Sequence, residues 1–242
     1  MKVKQLGNGG GFDFDKTNSS FLLTCDKEPN EYLLVDCGYN IMSALKALPD
    51  IGIEDINSVY ITHLDEDHVG NLQMFIQARY YLFGLETTVY CAYSLRDELY
   101  NYLQMINYSM IGGQMLKNDM FKILQLQDFK PFRIQNTYCY HGNQKAFGLF
   151  ANSDSHCVYI SGDTKASKMI EDEVELKYRQ VTTNNEHRSI IKFHDFSNWD
   201  CVTRQVHTCK TDWEIEYSVE WQESCIKYHN NEEFNSEWQT KG

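Results

Sequence analysis

Apolar residues along this chain gather in short runs separated by turn residues, the pattern of strands interleaved with helices. Residues 1–6 read as a strand leading into a glycine-rich segment (Gly7, Gly9, Gly10, Gly11), expected to be a tight hairpin turn. Ser20-Phe21-Leu22-Leu23-Thr24 and Tyr32-Leu33-Leu34-Val35-Asp36 read as the next two strands. Asp36-Cys37-Gly38 closes the second of these, and residues 41–48 have helical spacing. Val59-Tyr60-Ile61-Thr62 reads as a buried strand, and Val69-Gly70-Asn71-Leu72 as a helix entry. Residues 72–129 are expected to be largely helical, with one short strand at Val89-Tyr90-Cys91. Strands return at residues 132–140, 147–151, 157–161, 190–193 and 225–228. The pattern predicts an α/β chain, with two sheets covered by helices in a single domain spanning residues 1–242.

Between the buried strand and the helix entry lies His63-Leu64-Asp65-Glu66-Asp67-His68, with four candidate metal ligands in six residues. His63 and Asp65 are two apart on the extended side of the turn and can point toward one ion. Asp67 and His68 fall at the start of the helix and can face a second. Asp65 and Asp67 could instead merely cap free helix N–H groups, but two histidines bracketing three acids disfavour that reading. Three later residues occupy similar positions: His141 in Tyr140-His141-Gly142, Asp163 in Ser161-Gly162-Asp163-Thr164, and His229 in Tyr228-His229-Asn230. Taken singly, each would pass for a surface histidine or a turn aspartate. Together they recur at the C-terminal ends of strands.

Hydrophobic content of 42% and aromatic content of 14% are those of a folded globular protein. No apolar run approaches the roughly 20 residues needed to span a bilayer, and the first residues carry no signal-peptide pattern. The eight cysteines are spread singly, without a Cys-x-x-Cys pair, so reduced thiols in a cytoplasmic protein are expected. A net charge of -12 argues against a binder of nucleic-acid backbones. It leaves room for a small anion, because two divalent cations can dominate the field of a cleft. The glycine-rich segment lacks the Lys-Ser/Thr and helix of a phosphate-binding loop.

The order of these residues resembles the metallo-β-lactamase superfamily, whose H-x-H-x-D-H signature is followed by His, Asp and His at later strand ends. His63, Asp65, Asp67, His68, His141, Asp163 and His229 match that pattern. The resemblance implies an αββα sandwich of two mixed sheets flanked by helices, holding two divalent ions, with Zn²⁺ the usual pair. Asp65 stands where the superfamily usually has histidine, and a harder carboxylate ligand widens tolerance toward Mn²⁺ or Mg²⁺. Asp163 is the carboxylate expected to bridge the ions.

Phe193-His194-Asp195-Phe196 followed by Val206-His207-Thr208 is similar to the phosphodiesterase branch that includes tRNase Z. There His207 would be the catalytic proton donor beside the scissile phosphate, Asp67 would act in the catalytic metal centre, and His194 would position the substrate. His141 and Asp163 are close enough in sequence for a hairpin and nothing more, so the arm that grips tRNA has no room. The chain most resembles the phage anti-Pycsar family, homodimeric enzymes that hydrolyse cyclic CMP, cyclic UMP and other 3′,5′-cyclic nucleotides. That resemblance implies a host-cytoplasmic homodimer acting on cyclic mononucleotides, with no tRNA, DNA or membrane partner. Tyr80, Tyr81, Tyr90, Tyr93, Tyr100, Tyr102 and Tyr108 offer candidate base-stacking or interface rings. Three other readings compete: a tRNase Z-like RNA endonuclease, a lactone hydrolase of the same fold, and a nucleotide-sequestering protein. The histidine in Val206-His207-Thr208 argues against the lactonase, and the retained ligand set argues against sequestration.

Overall fold

Side chains that point to opposite faces in turn give two sheets with apolar residues on both faces. The computed structural model describes residues 1–111, 114–153, 156–164, 168–182, 189–196 and 205–210. Its strands are β1 (Lys2–Gly7), β2 (Ser20–Cys25), β3 (Glu28–Val35), β4 (Ser58–Ile61), β5 (Thr87–Cys91), β6 (Tyr108–Ile111), β7 (Gln114–Lys117), β8 (Phe121–Leu124), β9 (Arg133–His141), β10 (Gln144–Asn152), β11 (His156–Thr164), β12 (Ser189–Phe196) and β13 (Gln205–Lys210). Its helices are α1 (Ile41–Lys46), α2 (Glu66–Val69), α3 (Leu72–Phe83), α4 (Arg96–Leu103) and α5 (Lys168–Thr182). One sheet has the order β1-β2-β3-β4-β5-β8 and the other β13-β12-β11-β10-β9, while β6 and β7 form a separate ribbon.

The side chains sort these elements into four layers. Leu22, Leu34, Val59, Ile61 and Val89 point from the first sheet toward Ile41 and Leu45 of α1, Phe75 and Ile76 of α3, and Leu99 and Leu103 of α4. On its other face Leu23, Leu33, Val35, Tyr60 and Tyr90 meet Ile134, Leu149, Ala151, Val158 and Ile160 of the second sheet. Phe150, Cys157, Tyr159 and Ile190 then turn outward onto Ile170 and Val174 of α5. Period-2 alternation is what lets one strand feed two cores. The αββα sandwich implied by the resemblance is the architecture observed.

Two expectations are corrected. Residues 108–111, 114–117 and 121–124 are not helical: they form three short strands, and β8 alternates buried Phe121 and Ile123 with Lys122, which favours a strand on the sheet edge. The glycine-rich segment is not a tight turn. It opens a loop that runs from Asn8 to Ser19, with Gly9 bridged to Asn18. The strand expected at 225–228 lies outside the described residues.

Within the first sheet β3, β4, β5 and β8 run parallel. Their C-terminal ends therefore open on one rim, the usual place for ligands in such sheets. The second sheet is drawn to that rim by two bonds. The Phe147 N–H donates to the Thr62 carbonyl at 3.1 Å, and the Tyr60 hydroxyl donates to the Gly148 carbonyl at 3.1 Å. Among the described residues no helix is long and apolar enough to cross a membrane.

Candidate metal centre

Six of the seven expected ligands converge on that rim. His63 lies two residues past β4, Asp67 and His68 lie on α2, and His141 is the last residue of β9. Asp163 sits near the end of β11, where the register against β12 shifts between Ile160 and Asp163 and Gly162 takes φ 62°. Such a bulge re-aims the following side chain. A side chain at Gly162 would also collide with Thr62, whose Cβ lies 2.8 Å from where it would begin. His229 lies outside the described residues.

The ligand atoms fall into two groups, His63, Asp65, His141 and Asp163 in one and Asp67, His68 and Asp163 in the other, each within 4.8 Å. Asp163 divides its carboxylate between them. Its Oδ1 lies 3.0 Å from His68 Nε2, whereas Oδ2 lies 3.7 Å from His141 Nε2 and 3.9 Å from His63 Nε2. Asp65 Oδ2 closes the first group at 2.9 Å from His141 Nε2 and 3.6 Å from His63 Nε2. Asp65 stands at the N-terminus of α2, yet its side chain makes no capping bond. The capping alternative therefore fails for this residue.

The imidazoles are oriented from behind by residues that sequence reasoning missed. Asp36, one residue past β3, accepts from the Thr62 amide at 2.9 Å and contacts the Thr62 hydroxyl at 2.8 Å and His68 Nδ1 at 2.7 Å. Thr62 has one hydroxyl hydrogen, which goes to Asp36, so its oxygen accepts from His63 Nδ1 at 2.9 Å. Both rings thus carry hydrogen on Nδ1 and turn the Nε2 lone pair inward. His63 Nε2 and His68 Nε2 are buried and form no hydrogen bond of good geometry. Buried acceptors that converge without donors fit divalent cations.

Electrostatics agree. Burial, and then the neighbouring His68, push the pKa of His63 below its ordinary value. Burial also opposes charge on His68, but the carboxylates of Asp163 and Asp36 outweigh it and hold its pKa well above the usual range. The same negative field favours a divalent cation beside that ring. The His141 imidazole, and then that of His63, hold Asp65 well below the usual carboxylate range.

His194 and His207 are placed by backbone register. His194 pairs with His207 across β12 and β13, and Asp195 pairs with both Val206 and Asp163. The backbone at position 207 therefore lies two strands from Asp163 near the same level, on the order of 10 Å. Among the tyrosines, Tyr90 belongs to the core between the sheets, so it is no base-stacking residue. Tyr93 is 81% exposed and follows Cys91 by two residues, as His63 follows Ile61, with Ile61 and Cys91 paired. Cys25, Cys37, Cys91, Cys139 and Cys157 are buried, and burial pushes the thiols of Cys91 and Cys139 up to about 12, which makes those two packing groups.

A family model described as Anti-Pycsar protein Apyc1 matches residues 1–242. The Anti-Pycsar protein Apyc1 of Paenibacillus sp. (strain J14) is 31% identical over 136 residues, which is 55% of this chain and 53% of that protein. The one from Bacillus phage vB_BsuM-Goe3 is 30% identical over 139 residues, 56% of this chain and 49% of the relative. The chain thus spans about half the length of the curated relatives it matches. Among solved structures, the metallo-β-lactamase fold protein YhfI from Bacillus subtilis superposes with a TM-score of 0.56 at 20% identity, covering 69% of this chain and 64% of that one. Human tRNase Z, short form, gives 0.51 at 15% identity, covering 82% and 93%. Those likenesses carry the fold, and the match along all 242 residues carries the family: the chain belongs to the anti-Pycsar protein Apyc1 family, on the metallo-β-lactamase fold.

Proposed function

We propose that this chain is a metal-dependent phosphodiesterase that opens 3′,5′-cyclic nucleotides, cyclic CMP and cyclic UMP with cyclic AMP and cyclic GMP, to nucleoside 5′-monophosphates. Such an activity removes signalling nucleotides on which a host defence depends, which fits the name the family carries. The observation that carries the reading is the Asp163 carboxylate, whose two oxygens face two separate ligand groups. His63, Asp65 and His141 would hold one ion, Asp67, His68 and His229 the other, and Asp163 both. Zn²⁺ suits the imidazoles, and Asp65 extends the tolerance to Mn²⁺ and Mg²⁺.

Two such ions supply a water activated near neutral pH and offset charge on the phosphoryl oxygens. The chain's own residues do the rest. Asp36 and Thr62 fix the rings of His68 and His63, so no reorientation is needed when substrate arrives. His207, on the strand two removed from Asp163, donates a proton to the departing 3′ oxygen. His194, opposite it in register, positions the phosphate. Tyr93 supplies an exposed ring at the level of His63, where an aromatic face tolerates any base.

Against a tRNA-processing role stands the segment between His141 and Asp163, where the described residues form β10 and the start of β11 and leave no arm. The deciding experiment uses purified chain with a panel of cyclic mononucleotides, with and without EDTA, read by chromatography, alongside metal analysis. Close to two equivalents of metal and EDTA-sensitive release of 5′-monophosphates are expected. Intact activity with no metal bound would sink the reading.

A further inference from the structure

We infer that Phe12 and Phe14, at the tip of the glycine-rich β1–β2 loop, form the wall against which the substrate's nucleobase stacks, and so help set its specificity. This rests on the cyclic-nucleotide reading above and extends it to residues outside the metal centre.

The loop reaches the site physically. A Cβ built on Gly11 would lie 3.2 Å from Cγ of Asp67 and 3.3 Å from both of its carboxylate oxygens. Glycine at that position is therefore what lets the loop backbone run against a candidate metal ligand. Phe12 is the next residue, so its Cα is about 3.8 Å from that of Gly11. In a mononucleotide the base is separated from the phosphate by a single ribose, and a short step likewise separates Asp67 from the loop tip.

The tip is held on both sides. The Tyr39 hydroxyl donates to the Gly11 carbonyl at 3.0 Å, and the Asn18 amide group donates to the Gly10 carbonyl at 3.4 Å. On the return side the Asn40 amide group donates to the Lys16 carbonyl at 2.7 Å, and Lys16 pairs with Asp13 at 2.9 Å. Yet the two phenylalanines between these anchors are 72% and 78% exposed. Packing does not account for them, since neither belongs to a core cluster. Two aromatic rings on an anchored loop beside a phosphate-binding metal centre suit a ligand with one anionic end and one flat apolar face. An aromatic wall also accepts every base without hydrogen-bond readout.

The test uses the metal-loaded 242-residue chain and the variants Phe12→Leu, Phe14→Leu and the double variant, with Phe12→Tyr and Phe14→Tyr as rescues. Each is assayed on cyclic CMP and cyclic AMP and on ribose 3′,5′-cyclic phosphate lacking a base. KM for the nucleotides should rise roughly five- to 150-fold in the leucine variants, the loss expected for base–aromatic stacking. The tyrosine variants should restore it, and the KM of the base-free sugar phosphate should stay within about twofold of the parent value. Equal penalties on both substrate types, no change in KM, or a halved molecular mass in place of a KM effect would each overturn the assignment. If the parent chain turns over no cyclic nucleotide, calorimetric titration with cyclic CMP and cyclic AMP separates the two claims. Binding by the parent that the leucine variants lose upholds the aromatic wall while the hydrolytic reading fails. No binding by the parent, or equal binding by the variants, overturns the wall.

Discussion

Asp36 shows how much of the centre depends on a residue that binds no metal itself. It adopts φ 62°, a left-handed conformation that aspartate tolerates better than most residues, and from there its carboxylate reaches Thr62 and His68. Asp36→Asn keeps the shape but weakens the grip on His68 Nδ1. Metal affinity should fall by about 10–100-fold, the usual penalty for losing a carboxylate behind a ligating histidine. Titration with Zn²⁺ against a competing chelator measures this, and unchanged affinity would show that Thr62 and packing suffice. For the ligands themselves, Asp67→Ala and His68→Ala should abolish hydrolysis while circular dichroism stays native. Wild-type turnover in both would make the motif structural. Four of the six described candidate ligands were legible because His63-Leu64-Asp65-Glu66-Asp67-His68 concentrates donors beyond what any cap needs, and His141 and Asp163 because they stand at strand ends. Asp36 was not, because a strand-ending Asp near Gly38 reads as an ordinary turn.

Elements carry the site through the places where they end. Strands β4, β9 and β11 each deliver a candidate ligand at or just beyond their C-terminal end, and glycines let neighbouring segments close in. A Cβ on Gly38 would collide with the Asp67 carbonyl and lie 2.7 Å from Cβ of Asn18. Gly38→Ala should therefore push α2 away from β3, lower the melting temperature and weaken metal retention together. A variant with native stability and full metal content would contradict that packing. The register of β12 and β13 supports the argument for His207. His207→Ala should cut turnover of a cyclic nucleotide by roughly 10²–10⁴ with metal content unchanged, as for a lost general acid. A nitrophenyl phosphodiester, whose leaving group needs no proton, should recover much of that rate; equal loss on both would reassign His207. Most strands were legible from period-2 runs. The ribbon β6–β7 and strand β8 were not, since runs of four residues hold too little periodicity to separate strand from helix.

At the scale of the whole molecule, charge and exposed apolar surface point to different partners. A net charge of -12 repels a long polyanion, while a mononucleotide carries one charge that a pair of cations attracts at short range. The fold itself does not choose between these substrates, since tRNase Z shares it. Meanwhile Met74, Tyr81, Leu82, Phe83 and Leu85 leave large apolar side chains exposed along α3 and just beyond it. Rings and long aliphatic groups of this kind are enriched at protein–protein contacts, and the resemblance implies a homodimer, so α3 is the face expected to make it. Light scattering should then give a mass near twice 28.4 kDa. Leu82→Asp would set a desolvated charge in that contact and should return the mass to the single-chain value without loss of metal. A dimer that survives the substitution would move the interface off α3. Under conditions that open cyclic CMP, precursor tRNA should remain intact, because the described residues between His141 and Asp163 form no arm and a net charge of -12 repels it. Cleavage of the tRNA with no action on cyclic nucleotides would transfer the chain to the endonucleases and leave the metal centre, but not the substrate, as argued.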